Sequence, residues 1–280
     1  MILALGKNGQ LAKVFQKINQ REILYLSSTE LDLTCLDSIK FKLEPYHPKI
    51  VLNFTAYNFV DQAEENRDNE LINSLAVKEI AEYCNAKNIL LIHISTDYVF
   101  DGLKGNYTET DSVNPINAYG QAKLSGENFI RGICKKYFIL RTSWLYSLYG
   151  RNFLTTIIDR YNNEKNFKGA DDLIGTPTSA RSLAGAINHL IQNKNIEYGT
   201  YHFANTGMTS KYSFLKAIVD RLSQNKNMEQ KDILRVKNED FKMSAKRPYN
   251  TSLNSKKFTH NCDYKIPTWE EELHSIMDQI

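Results

Sequence analysis

Four side chains in this sequence have the types and spacing to reduce a ketone: Thr96 and Asp97 in the stretch 94–102, and Tyr119 and Lys123 in 117–123. On a helix, residues four apart share a face, so a phenol and an ammonium point the same way. A nearby ammonium favours the phenolate and lowers the tyrosine pKa from about 10. Tyr119 is then a usable proton donor to a carbonyl oxygen near neutral pH. Thr96 is expected to hold the same oxygen. Asp97 has two readings, a proton relay or substrate contact, and a turn cap.

These groups need a sheet to position them. Residues 89–95 form an apolar run of the kind that makes a parallel strand buried on both faces. It delivers Thr96 and Asp97 at its carboxyl end, where open α/β sheets bind ligands. Similar runs at 1–5, 22–27, 50–55 and 137–141 alternate with helical patterns at 10–19, 35–44, 71–86 and 118–135. The alternation predicts an α/β fold with a Rossmann-type doubly wound parallel sheet. Residues 1–145 are expected to be an NAD(P)-binding domain. Residues 146–280 are expected to be mainly a smaller, discontinuous α/β substrate lobe, with some segments returning to the sheet. That part reads as helices at 152–163, 179–192, 211–222 and 269–280, a strand at 199–205 and an exposed turn at 224–230.

The first strand runs into Gly6-Lys7-Asn8-Gly9-Gln10-Leu11-Ala12 and then a helix. Glycines there let the backbone approach a pyrophosphate, and the helix start supplies N–H groups; the alternative is a glycine turn with no ligand. NAD enzymes often carry an acid at the end of the second strand. Here Ser27-Ser28-Thr29 stands there with Glu30 slightly late, which leans toward NADPH, with NADH as the alternative. Asp32 and Leu33 either edge the adenine pocket, or Asp32 caps the helix at 35–44. Ala56 and Tyr57 end the third strand, on the side facing the cofactor. Trp144 is either an aromatic wall for a sugar or nucleobase, or core packing. Arg247 is either a phosphate clamp or an ordinary surface arginine. Asp61, Glu64 and Glu65 read as a solvated face.

Composition narrows the class. Thirty-five Lys and Arg against 32 Asp and Glu give a net charge of +3. With no dense basic cluster, nucleic acid is not an expected partner. No run of apolar residues is long enough for a membrane span or a signal peptide, so a cytoplasmic protein is expected. Cys35, Cys84, Cys134 and Cys262 are scattered, and the six histidines lack ligand spacing. Neither a disulfide framework nor a metal site follows.

In these segments the chain resembles the dTDP-4-dehydrorhamnose reductase family of extended short-chain dehydrogenase/reductases. The likeness rests on GKNGQL (6–11), LDLT (31–34), NFTAYNFVDQAE (53–64), STDYVFDG (95–102), PINAYGQAKLSGE (115–127), RTSWLYS (141–147), GTPTSA (175–180), GTYHFAN (199–205) and RPYNTSL (247–253). It implies reduction of dTDP-4-dehydro-L-rhamnose to dTDP-L-rhamnose, a nucleotide sugar, by NADPH or NADH. It also implies catalytic roles for Thr96, Tyr119 and Lys123, with Asp97 beside them and Lys123 also on the nicotinamide ribose. Gly6, Gly9, Gln10 and Leu11 would hold the pyrophosphate; Asp32, Leu33, Ala56 and Tyr57 would line the cofactor cleft, and Trp144 the sugar site. Some members dimerise around Mg²⁺, so a homodimer and Mg²⁺ are expectations carried by resemblance alone. The same branch includes a regulatory subunit of methionine adenosyltransferase, and a nucleotide-sugar epimerase is a further alternative.

Overall fold

The computed structural model describes residues 1–226 and 231–280. Its first half alternates strand and helix: β1 (Ile2–Leu5), α1 (Gln10–Ile18), β2 (Ile23–Leu26), α2 (Leu36–Leu43) and β3 (Ile50–Asn53). Next come α3 (Asp68–Glu70), a π-helical turn (Leu71–Leu75) and α4 (Ala76–Ala86), which run on as one. β4 (Leu90–Thr96), α5 (Ala118–Ile133) and β5 (Tyr137–Thr142) complete this half. The π turn was not foreseen. Asn73 within it is drawn to the backbone of Tyr57, accepting from its N–H at 3.1 Å and donating to its carbonyl at 2.9 Å. Gly126 of α5 lies against this turn; a Cβ there would stand 2.4 Å from the Asn73 carbonyl oxygen.

The second half contains β6 (Leu145–Tyr146), α6 (Phe153–Tyr161), β7 (Asn166–Ala170), β8 (Ile174–Gly175), β9 (Thr178–Ser179) and α7 (Ala180–Gln192). β10 (Gly199–His202), β11 (Thr209–Ser210), α8 (Lys211–Lys226), β12 (Asp232–Val236), α9 (Lys256–Cys262) and α10 (Trp269–Met277) follow. Of the turn expected at 224–230, residues 224–226 belong to α8 and 227–230 lie outside the described residues.

The main sheet is β2–β1–β3–β4–β5–β10, parallel throughout. Strand order reverses between β1 and β3, where such sheets open a crevice at their carboxyl ends. β10 and α7 are late segments that return to this sheet: Ala184 and Ile187 of α7 share a core with Phe15 of α1. A separate core joins Leu154 of α6, Phe167 of β7, Phe214 and Ile218 of α8, and Leu273 of α10. The parallel pair β7–β12 was missed in the sequence. β12 is five residues long and mostly exposed, so no apolar run marks it. No helix among the described residues is long and apolar enough to cross a membrane.

Candidate active site

β4 and α5 bring Thr96, Asp97, Tyr119 and Lys123 into one cavity of about 340 Å³. Thr96 ends β4, and its hydroxyl accepts from the Tyr98 N–H at 3.1 Å, turning the chain into a short 3₁₀ helix at Asp97–Val99. α5 is capped by Asn117, whose side chain accepts from the Gly120 N–H at 2.8 Å. Gly120 lets the helix start close to the turn: a Cβ there would lie 2.2 Å from the Tyr98 carbonyl oxygen. Tyr119 and Lys123 then face the cavity one turn apart.

Asp97 is buried and accepts from three hydroxyls: Thr96 at 3.1 Å, Ser143 at 2.8 Å, and Thr251. Burial pushes its carboxyl up to about 6, against those hydrogen bonds. It therefore does more than cap a turn. It ties β4 to the end of β5 and to the segment 247–253, which the sequence did not connect.

The tuning expected of Tyr119 is not found. Burial pushes its phenol up to about 12, with a hydrogen bond from Thr96 working against this and the charge of Asp97 adding to it. Lys123 is occupied elsewhere. Its Nζ donates to the Ile94 carbonyl at 2.7 Å and lies 3.2 Å from His93 Nε2. Burial lowers Lys123 to about 8, against the charge of Glu127. Desolvation thus outweighs the ion–phenol attraction.

A second cavity of about 260 Å³ adjoins the first and shares Gly9, Phe54, Thr55, Ala56 and Asn58 with it. Gly6, Asp32 and Leu33 line the second; Gln10 and Leu11 line the first. Gly6 has φ +90°, and a Cβ on it would sit 3.1 Å from Thr55. Asp32 caps a turn and not α2, accepting from the Thr34 N–H at 2.9 Å. Tyr57 lines neither cavity. Its hydroxyl donates to Gln62 at 3.1 Å and its ring packs on Phe59, so Asn58 takes the place expected of it.

Glu30, read as late for the end of β2, folds back. Its carboxylate accepts from the Ser27 N–H at 2.8 Å and the Ser27 hydroxyl at 2.7 Å. An acid therefore does stand at the end of β2, which removes the reason for reading the phosphorylated cofactor from this strand.

Trp144 lines the first cavity with φ +45°, a region bulky residues rarely adopt. Gly175 packs on its indole, where a Cβ would lie 2.5 Å away. Lys211 Nζ sits 3.6 Å from the Trp144 ring centroid and 4.6 Å from that of Phe153. The β8–β11 pair and the start of α8 bring it there. Burial lowers Lys211 to about 7, against the charge of Asp97 and with that of Arg247. No local pattern marks Lys211 in the sequence, because a strand pair of two residues each positions it.

Arg247 lines a neighbouring cavity with Arg151 and Asn152 and is not free. It donates to Asp61 at 2.7 Å and to the Ala245 carbonyl at 3.0 Å. Asp61 and Glu64 are likewise not merely a solvated face: Glu64 accepts from the Ala118 N–H at 3.0 Å, at the start of α5. Glu65, which no such bond engages among the described residues, stays exposed. Among the described residues no group of three or more His, Cys, Asp or Glu is placed to hold a metal ion.

The whole chain, residues 1–280, matches the family described as RmlD substrate binding domain. It is 33% identical over 286 residues to the dTDP-4-dehydrorhamnose reductase of Aggregatibacter actinomycetemcomitans, covering 98% of this chain and 97% of that protein. Against the enzyme of that name from Escherichia coli K12 it is 30% identical over 298 residues, covering 100% and 97%. Among solved structures, the dTDP-4-dehydrorhamnose reductase of Bacillus anthracis in complex with NADP matches at a TM-score of 0.92 and 34% identity, covering 100% of this chain and 99% of that one.

Proposed function

We propose, because the chain belongs to the RmlD family of dTDP-4-dehydrorhamnose reductases, that it reduces the 4-keto group of dTDP-4-dehydro-L-rhamnose to give dTDP-L-rhamnose, with NADPH as reductant. The observation that carries this reading is the placing of Thr96, Tyr119 and Lys123 in a cavity continuous with the glycine turn after β1. The cleft suits a dinucleotide. Gly6 and Gly9 offer backbone at the start of α1, and Thr142 presents a buried hydroxyl with no partner among the described residues to the same cavity. When bound, NADPH supplies a hydride to the carbonyl carbon. Tyr119 donates to the carbonyl oxygen and gives it a proton as negative charge builds, and the Thr96 hydroxyl, turning from Asp97, donates to the same oxygen. Lys123 binds the nicotinamide ribose, and Trp144 forms one wall for the sugar.

In this reading residues 1–145 bind the cofactor and residues 146–280 mainly the sugar nucleotide. The protein works in the cytoplasm on a small-molecule substrate, as a homodimer, with neither nucleic acid nor membrane as partner; a net charge of +3 fits this. The reading is tested by following NADPH consumption with dTDP-4-dehydro-L-rhamnose and identifying the product. Turnover to dTDP-L-rhamnose supports it; cofactor binding with no consumption on this or other 4-keto sugar nucleotides overturns it.

Two further outcomes follow from the site. Lys211 Nζ lies over the rings of Trp144 and Phe153 at the wall of the first cavity, so it is expected to meet an oxygen of the sugar nucleotide. Lys211→Met should raise the KM for the sugar nucleotide about 10- to 100-fold, with the KM for NADPH unchanged. Steady-state kinetics with each substrate varied separately checks this. Glu30 brings negative charge back to Ser27, which lines the second cavity, and a 2′-phosphate bound beside Ser27 would be repelled. Glu30→Gln should lower the KM for NADPH relative to NADH about fivefold, read from the ratio of kcat/KM for the two cofactors.

A further inference from the structure

Behind Lys123 lies a buried row of nitrogen-bearing side chains, of which the proposed mechanism uses the lysine alone. Asn53 on β3 and His93 on β4 are register partners, and Lys123 on α5 reaches over them. None is more than 1% exposed. The Asn53 amide has a fixed orientation, because its oxygen accepts from both the N–H of Thr55, at 3.1 Å, and the Thr55 hydroxyl. Its nitrogen therefore faces His93 Nδ1, 3.1 Å away. An amide nitrogen only donates, so Nδ1 must accept, and the single proton of a neutral imidazole sits on Nε2. That N–H points across 3.2 Å at Lys123 Nζ. An ammonium has no lone pair to receive it. An amine has one, and keeps a hydrogen for the Ile94 carbonyl at 2.7 Å.

We infer that His93 is a positioning residue for Lys123: its fixed tautomer turns an N–H to the lysine nitrogen and disfavours the ammonium in the free protein, so that above the lowered lysine pKa a dinucleotide binds only as Lys123 takes a proton from solvent. The ribose hydroxyls of such a ligand can accept the hydrogen bonds that the imidazole withholds. The inference rests on the proposed cofactor function. The surrounding groups agree with it. His93 is held well below its ordinary pKa by burial and by Lys123, so it stays neutral. Burial already lowers Lys123 to about 8. From α5, Tyr119 is protonated at neutral pH, and Glu127 is committed to Arg141 at 2.7 Å and Arg131 at 2.8 Å. Asp97, beyond the end of β4, is bonded to three hydroxyls. β3 offers only the uncharged Asn53.

The sign is fixed by linkage. Binding favours the ammonium, so NADPH affinity is full while Lys123 is protonated before binding and falls as pH rises past its free-state pKa. For the wild type the dissociation constant should be flat below pH about 8 and then weaken about tenfold per pH unit. His93→Gln can turn an amide oxygen to Lys123. Asn53→Asp replaces the donor facing Nδ1 with an acceptor, reversing the tautomer, and its added negative charge favours the ammonium as well. Both variants should delay the weakening toward the ordinary lysine value of 10.5. Lys211 titrates in all three proteins, so its contribution cancels in the comparison. The measurement is NADPH binding by fluorescence across alkaline pH, with thermal melting as the control for folding. Later onset in either folded variant supports the inference. A wild-type affinity flat throughout, or the same curve for all three proteins, overturns it. Failure of the wild type to bind NADPH at any pH overturns the cofactor reading instead.

Discussion

Tyr119→Phe is expected to lower kcat for reduction of the 4-keto sugar nucleotide by about two to four orders of magnitude. The KM for NADPH and the melting temperature should stay close to wild type. The hydroxyl is the only heavy atom removed, and the ring still meets Tyr98, with centroids 5.9 Å apart. An upward shift to about 12 does not disable a proton donor. It keeps the phenol protonated across the working pH range, and an alkoxide forming on a sugar carbon is more basic still. The shift costs the reverse reaction, which needs a phenolate, so the free site is set for reduction. Single-turnover rates with cofactor bound separate this loss from any effect on binding. Near wild-type turnover would remove Tyr119 from the chemistry.

What the sequence revealed of this site follows a physical divide. Strand ends and helix faces have periodic signatures, so the approach of Thr96, Tyr119 and Lys123 to one another was legible, and so was the glycine turn beneath them. Groups delivered by irregular chain were not. Thr251 reaches Asp97 from a loop 154 residues later, and Lys211 depends on the two-residue pairing of β8 with β11. Electrostatics was the least legible. The Tyr119–Lys123 spacing correctly placed two groups on one face but gave the wrong sign for the tyrosine pKa. Spacing carries no information on burial, nor on the Ile94 carbonyl and His93 that claim the lysine. Glu30 shows the same limit at shorter range: three residues of turn suffice to bring back an acid that linear reading puts past the strand.

Glu127→Ala is the substitution expected to cost most stability. Glu127 lies one turn after Lys123 on α5 and is fully buried. It accepts from Arg141 at 2.7 and 2.9 Å, from Ser95 at 2.6 Å and from Arg131 at 2.8 Å. Removing it leaves the Arg141 guanidinium, only 3% exposed, without its carboxylate. Breaking a buried pair from one side costs about 3–5 kcal/mol, which in a chain of this size lowers the melting temperature by on the order of 10 °C. Arg131 is a third exposed, and Arg131→Ala should cost no more than about 1 kcal/mol. Burial pushes the Glu127 carboxyl up, but the hydrogen bonds and charge of Arg141, with Ser95 and Arg131, hold it below its ordinary value of 4.5. A depressed folded pKa gives stability that is full above the ordinary value and lost as pH falls through the folded one. The gap in melting temperature between wild type and Glu127→Ala should therefore be widest near neutral pH and narrow on acidification, as thermal melts at several pH values would show. Activity should fall as well, even at temperatures where the variant is folded. Ser95 and Lys123 flank the proposed catalytic pair Thr96 and Tyr119 on β4 and α5, and Glu127 bonds these two elements side chain to side chain through Ser95, as Lys123 does through His93. Unchanged melting would mean that Arg141 finds another acceptor, with His202 Nε2 at 3.4 Å the nearest at hand.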